Sequence, residues 1–196
     1  GVGRKSFANE HNLQLELTER GFVKVDTNFK TNLDNVYAIG DITGINMLAH
    51  AASAQGIAAI ENIFGNGGSY DATSCPSPIF TSPEIGTVGY TSKDLDEKNI
   101  EYKTGRFAYA ANGKALCDGE TEGQVIVHAE PNGKILGVHI IGADATHLIA
   151  EAALAMRHGL TVKELSETIH AHPTLSETVA EACEDVFGMA IHKMKR

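Results

Sequence analysis

An α+β fold is the class this 196-residue sequence predicts: an antiparallel sheet with helices, preceded by a fragment of an α/β unit. Three observations predict it. First, Asn35-Val-Tyr-Ala-Ile-Gly-Asp41 is a short apolar run closed by a turn, and a helix-like stretch follows from Asn46 to Phe64. Second, Gly65-Asn-Gly-Gly-Ser69 and the prolines at 76, 78 and 83 interrupt the pattern and place a domain boundary near residue 70. Third, the segments beyond it read as strands joined by hairpin chemistry and then as helices.

In the first part, residues 1–70, Gly21-Phe-Val-Lys-Val-Asp26 alternates apolar and polar residues, as a half-buried strand does. Asn35–Asp41 has the character of a buried parallel strand. In the following helix Met47, Leu48, Ala51, Ala54, Ile57 and Ala58 form an apolar stripe, and Gly65 stops it. Strand, turn and helix make the layout of a nucleotide-binding half-unit. In the second part, residues 71–196, Gly86–Tyr90 and Tyr102–Ala110 read as strands. Gln124–Ala129 and Lys134–Ile141 flank Pro131-Asn-Gly133 as a hairpin. Ala145–His158 is a helix stopped by Gly159, and Thr161-x-x-Glu164 is a capping box opening a short helix. A last helix is expected from Pro173 to about Lys193.

Composition removes several functions. The net charge of −9 argues against a nucleic-acid or anionic-membrane partner, because phosphate binding needs clustered Lys and Arg. No run reaches the roughly 20 apolar residues of a membrane span. Cys75, Cys117 and Cys183 lie far apart without a CxxC or CxxxxC pair, which suits free thiols in a reducing compartment. No basic-then-apolar leader opens the chain, and Gly1 reads as the start of a cut piece.

The densest chemistry lies in His170-Ala-His172-Pro-Thr-Leu-Ser-Glu177. Histidine changes charge near neutral pH and suits proton transfer. A carboxylate on its second nitrogen would fix the tautomer and stabilise the imidazolium. Pro173 stiffens the backbone beside His172. Thr174-x-x-Glu177 equally spells a capping box, in which Glu177 serves backbone N–H groups alone. A His-x-His pair also suits a metal, but no third ligand stands in a suitable place.

A second cluster is Tyr37-Ala-Ile-Gly-Asp41 with Met47-Leu-Ala-His50. A carboxylate past a buried strand binds a ribityl or ribose hydroxyl, and the helix start offers N–H groups; the plainer use of Gly-Asp is to close a turn. Gly1-Val-Gly3 is a weak fragment of a glycine-rich phosphate loop, Arg4 and Lys5 read as solvated, and His128, His139 and His147 as structural.

These residues together resemble the pyridine nucleotide–disulfide oxidoreductases. Gly21–Asp26 and Thr31–Asp41 resemble that family's flavin-binding closure, and Val2-Gly-Arg4 the end of its NAD domain. Ser82-Pro-Glu-Ile-Gly-Thr-Val-Gly89 resembles the opening of its interface domain, and His172-Pro-Thr-x-x-Glu177 its C-terminal active-site signature. The motifs stand in the family's order across nearly the whole chain. Residues 1–70 are thus expected to be the C-terminal fragment of the FAD/NAD-binding region and 71–196 the interface, or dimerisation, domain. Met47-Leu-Ala-His50 and the doublet His170-x-His172 with Thr174–Glu177 are similar to the dihydrolipoyl dehydrogenase branch. Lys193-Met-Lys-Arg196 lacks the terminal cysteine pair expected of mercuric reductases, and glutathione reductases are expected to differ after Pro-Thr. Lys5-Ser6 departs from the Arg-Pro expected after Gly3-Arg4.

The resemblance implies FAD and NAD as cofactors, with Asp41 on the ribityl chain, Met47, Leu48, Ala49 and His50 against the flavin, and Gly3 near NAD. It implies His172 as the base and Glu177 as its orienting partner, in a homodimer where His172 of one subunit serves the other. Lipoyl domains of 2-oxo acid dehydrogenase complexes or of the glycine cleavage system would be the partners, and a bacterial cytoplasm, or the mitochondrial matrix, the location. The family's redox disulfide and full dinucleotide fingerprints are absent from this chain, so the chain alone is expected to be inactive. A glutathione-reductase-like enzyme and a non-catalytic dimerisation module are the competing expectations.

Overall fold

In the computed structural model, residues 3–8 and 13–193 are described. The chain divides into two compact units, Gly1–Ala72 and Thr73–Arg196.

The first unit is built around one long helix, α1 (Ala49–Ile63). Asn46 sits at φ 45° and Leu48 is extended, so the helix starts three residues later than its apolar pattern suggests. Its buried face is Ala51, Gln55, Ala58 and Ala59, whereas Ile57 of the expected stripe is 63% exposed and Ala54 is exposed too. Small residues therefore carry the packing, and the bulky ones lie outside. The two expected strands, Gly21–Asp26 and Asn35–Asp41, do not form ladders; Leu17 with Val23 and Lys30 with Tyr37 make single antiparallel bridges. The reason is local. Gly21, Phe29, Asn35 and Gly40 all have positive φ, so the chain turns before a ladder can propagate. Val23, Leu15 and Ala8 nevertheless form a small core, and Phe29 packs with Ala58, Ala59 and Tyr70.

The second unit is a five-stranded antiparallel sheet in the order β1-β2-β5-β4-β3. The strands are β1 (Ser77–Ile79), β2 (Glu84–Gly89), β3 (Lys103–Ala108), β4 (Gln124–Ala129) and β5 (Ile135–Gly142). Strand β1 sits at the edge, which is why its proline at 78 is tolerated. The helices are α2 (Ser92–Glu97), α3 (Gly113–Asp118), α4 (Ala145–Arg157), α5 (Val162–Glu167) and α6 (Glu177–Asp185). The expected capping box opens α5: Thr161 N donates to Glu164 Oε2 at 2.7 Å and Glu164 N to Thr161 Oγ1 at 3.3 Å. Helix α6 starts later and ends well before the predicted Lys193. Gly188, at φ 71°, turns the chain back, and Glu181 then accepts Ile191 N–H at 2.9 Å.

Two glycines let helices lie close on the sheet. A Cβ on Gly86 would stand 2.3 Å from Ala145 O, and one on Gly105 would stand 2.1 Å from Ala182 O. The sheet thereby holds α4 and α6 with backbone nearly touching backbone. Between them runs the main core, with Val125, Val127, Val138, Ile149, Val179 and Ala182 among its members. At the far edge, Arg106 N–H of β3 donates to Asp185 Oδ2 at 2.8 Å, and Lys193 Nζ donates to Arg106 O at 3.1 Å.

Candidate functional site

The loop Thr168–Ser176 joins α5 to α6 and carries both candidate histidines. At its start Thr168 Oγ1 donates to Glu164 O at 2.9 Å. His170 turns inward, its side chain 8% exposed, with Nδ1 2.7 Å from Thr168 O and Nε2 2.7 Å from Glu151 Oε1 of α4. Thr174 Oγ1 donates to Ala171 O at 2.6 Å. Buried Asn112, which caps α3 through its Oδ1, donates from Nδ2 to Thr174 O at 3.1 Å. The loop is thus tied to three helices.

His172 turns the other way, its side chain 78% exposed. Its Nδ1 lies 2.9 Å from Glu177 Oε1, while Glu177 Oε2 accepts Thr174 N–H at 2.8 Å. A carboxylate can only accept here, so Nδ1–H is the donor and a neutral ring presents its Nε2 lone pair outward. The two uses foreseen for Glu177 share one carboxylate, one oxygen for each. The capping box itself is half made, because the Thr174 hydroxyl points to Ala171 O and Ser176 Oγ instead of Glu177 N–H. Burial tends to raise the Glu177 pKa, but the Thr174 N–H and then His172 outweigh it and hold the carboxyl below its ordinary value. The carboxylate is thus held ionised beside the His172 ring.

One turn further along α6, Glu181 is bonded to His192 Nδ1 at 2.5 Å. This bond and the Glu181 charge raise the His192 pKa. Burial pushes the Cys183 thiol up, with Glu151 and Glu184 adding to it, so it stays a thiol and a poor nucleophile. Cys75, Cys117 and Cys183 are all unpaired. His128 and His139 lie side by side within the sheet, ring centroids 5.6 Å apart. Burial brings His128 down to about 4 and lowers His139 as well, which keeps both neutral. Among the described residues no group of three His, Cys, Asp or Glu side chains is arranged to hold a metal, and no helix is long and apolar enough to cross a membrane.

In the first unit Asp41 lies in a 3-10 turn, Gly40–Thr43. Arg4, read from the sequence as solvated, is exposed and also pairs with the Asp41 carboxylate. Both border a cavity of about 490 Å³ whose lining includes Phe7, Leu15, Phe22 and Ile42. Sequence reasoning missed Gln55. It is fully buried, its Oε1 accepts Gly40 N–H at 2.7 Å, and its Nε2 donates to Ile45 O at 3.0 Å. A lone amide in an apolar helix gives no sign that it fastens the neighbouring turn. Met47 and Leu48 are half-buried, Ala49 and His50 are exposed, and Leu48 is the N-cap of α1 with no side-chain bond to the first-turn N–H groups. Gly3 is exposed in open surroundings. Asp41 is accessible enough to accept hydroxyl bonds, and the bare start of α1 suits an electron-rich edge. Both features fit the flavin expected there.

Comparison with known proteins shows the family to which the chain belongs. Residues 75–183 match the family described as the pyridine nucleotide-disulphide oxidoreductase dimerisation domain, and residues 1–56 match the pyridine nucleotide-disulphide oxidoreductase family. The dihydrolipoyl dehydrogenase of Haloferax volcanii is 42% identical over 200 residues, covering 100% of this chain and 42% of that protein. That of Bacillus subtilis is 40% identical, covering 99% and 42%. The mitochondrial dihydrolipoyl dehydrogenase of Sus scrofa is 41% identical, covering 97% and 38%. The chain therefore spans about two fifths of the length of these relatives. Among solved structures, LpdA from Mycobacterium tuberculosis superposes with a TM-score of 0.83 at 27% identity, over 93% of this chain and 40% of that one. An HOCl-induced flavoprotein disulfide reductase from Escherichia coli shares the fold, with a TM-score of 0.80 at 22% identity over 94% and 44% of the two chains.

Proposed function

Because this chain belongs to the pyridine nucleotide-disulphide oxidoreductases, we propose that it is the C-terminal part of a dihydrolipoyl dehydrogenase and supplies that enzyme's acid–base pair, His172 and Glu177. The observation that carries the reading is the exposed His172 ring, held through Nδ1 by Glu177 at 2.9 Å with Nε2 facing outward. Dihydrolipoyl thiols must lose a proton before they attack a disulfide, since the thiolate is the nucleophile. His172 Nε2 takes that proton, and Glu177 fixes the ring and balances its charge. The attacked disulfide is reduced to two thiols as the dihydrolipoyl group is oxidised to its own disulfide. That enzyme disulfide belongs to the part of the parent protein outside this chain, so the chain alone does not turn over.

FAD, when bound, would supply a two-electron acceptor for the reduced thiols, with NAD⁺ as the final oxidant. Asp41 would hold a ribityl hydroxyl, Met47, Leu48, Ala49 and His50 would border the flavin, and Gly3 would border NAD. Residues 71–196 form the interface of a homodimer in which His172 reaches the partner's site. Lipoyl domains of 2-oxo acid dehydrogenase complexes or of the glycine cleavage system bring the substrate, in a bacterial cytoplasm or the mitochondrial matrix.

In the full-length enzyme, His172→Gln should lower dihydrolipoamide turnover by about 10²- to 10⁴-fold with flavin content unchanged; wild-type turnover would refute the assignment. Glu177→Ala should cost less in rate. If that variant loses only thermal stability, Glu177 serves the Thr174 N–H and nothing more.

A further inference from the structure

We propose that His170 and Glu151 form a positioning clamp for His172, a role that rests on the reading of His172 as the base. His172 is exposed and its ring has one side-chain partner, Glu177, among the described residues. Its aim therefore depends on the backbone beneath it. That backbone is fixed upstream by His170, whose ring sits almost fully inside and meets an acceptor at each nitrogen: Thr168 O on its own loop and Glu151 Oε1 on α4, both at 2.7 Å. Two residues of chain span at most about 7 Å, so a displacement at His170 is passed on to His172. Downstream the loop is held by Asn112 through Thr174 O and by Glu177 through Thr174 N. The upstream tie is the one that ends on α4, and α4 is seated on the sheet through Gly86. Glu151 thereby ties the loop to a helix packed directly on the sheet. His170 and Glu151 touch neither substrate nor reacting atoms; they act through the loop.

Nitrogen NMR of the histidine rings in this chain tests the clamp without any turnover. The wild-type His172 ring should show a single tautomer protonated at Nδ1. In Glu151→Ala that signature should be lost from His172, while Glu151→Gln, which keeps a carbonyl acceptor, should restore most of it. In the full-length flavoenzyme Glu151→Ala should lower kcat on the order of tenfold with KM for dihydrolipoamide nearly unchanged, and Glu151→Gln should recover most of the rate. Thr91→Ala, which weakens the α2 cap away from this loop, should leave both readouts in place. His170→Asn serves if Glu151→Ala fails to fold. The proposal is overturned if Glu151→Ala or His170→Asn changes thermal stability while His172's nitrogen signature and kcat stay wild-type. If His172→Gln leaves turnover intact, the base assignment fails, yet the ring signature still decides whether Glu151 orders the loop.

Discussion

Gly105→Ala isolates the packing that seats α6, and with it Glu177. The added Cβ would lie 2.1 Å from Ala182 O, 2.6 Å from Val186 N and 2.8 Å from Val186 Cγ2. Two of the three obstacles are backbone atoms, so no rotamer change relieves them. Ordinary contact needs about 3.4 Å or more, so α6 must lift from β3 by roughly 1 Å or the strand must buckle. Overpacking of this kind costs about 1–3 kcal/mol, and the backbone obstruction puts this site at the upper end, about 3 kcal/mol. At roughly 2–4 °C per kcal/mol for a chain of this size, the melting temperature should drop by roughly 6–12 °C. Circular dichroism melts read this directly. Gly113→Ala is the control: nothing lies within 4 Å of its Cβ, and the substitution should stabilise by about 0.4–1 kcal/mol. Equal melting of Gly105→Ala and wild type would refute the account of how α6 docks.

Acid should weaken the sheet. His128, near 4 when folded and near 6.5 when exposed, is protonated first in the unfolded chain, so stability is full above pH 6.5 and falls toward pH 4. At about 1.4 kcal/mol per pH unit the loss is at most about 3 kcal/mol, and His139 acts in the same direction. Urea titrations at pH 7 and pH 4.5 should show a smaller difference in His128→Gln than in wild type; an equal difference refutes the assignment. Gln55→Leu leaves the buried Gly40 N–H without its partner, at a cost of about 1–3 kcal/mol. In the full-length enzyme it should also weaken flavin retention through the Asp41 turn, and tight flavin with an unchanged melt would show the amide to be dispensable.

What the sequence made legible was local. The Thr161–Glu164 box, the hairpin about Pro131-Asn-Gly133 and the His172–Glu177 pair each sit within a short stretch of chain, and the structure brings their members together. Strand β1 is not legible in the sequence because its proline, Pro78, is a breaker everywhere except at an edge. Helix α6 ends short of its expected length because Gly188, at φ 71°, reverses the chain and brings Ile191 N–H to Glu181. The expected strands around Val23 and Tyr37 carry apolar patterning without ladders, since positive-φ residues cut them short. Gln55 with Gly40, and Glu151 with His170, stand 15 and 19 residues apart, and no periodicity announces such a pairing. Arg4 is exposed, and its pairing with Asp41 leaves no mark in the local sequence.

The two rims of the sheet bear on how this protein behaves when concentrated. A bare strand edge is a template on which another chain can add itself. Here β3 presents Arg106 with its N–H already bonded to Asp185 and its carbonyl to Lys193. At the other rim β1 is three residues long with Pro78 at its centre, a residue without an N–H to offer. Arg106 and Pro78 thus each take a pairing position away from a rim of the sheet, which works against strand-by-strand addition of another copy there.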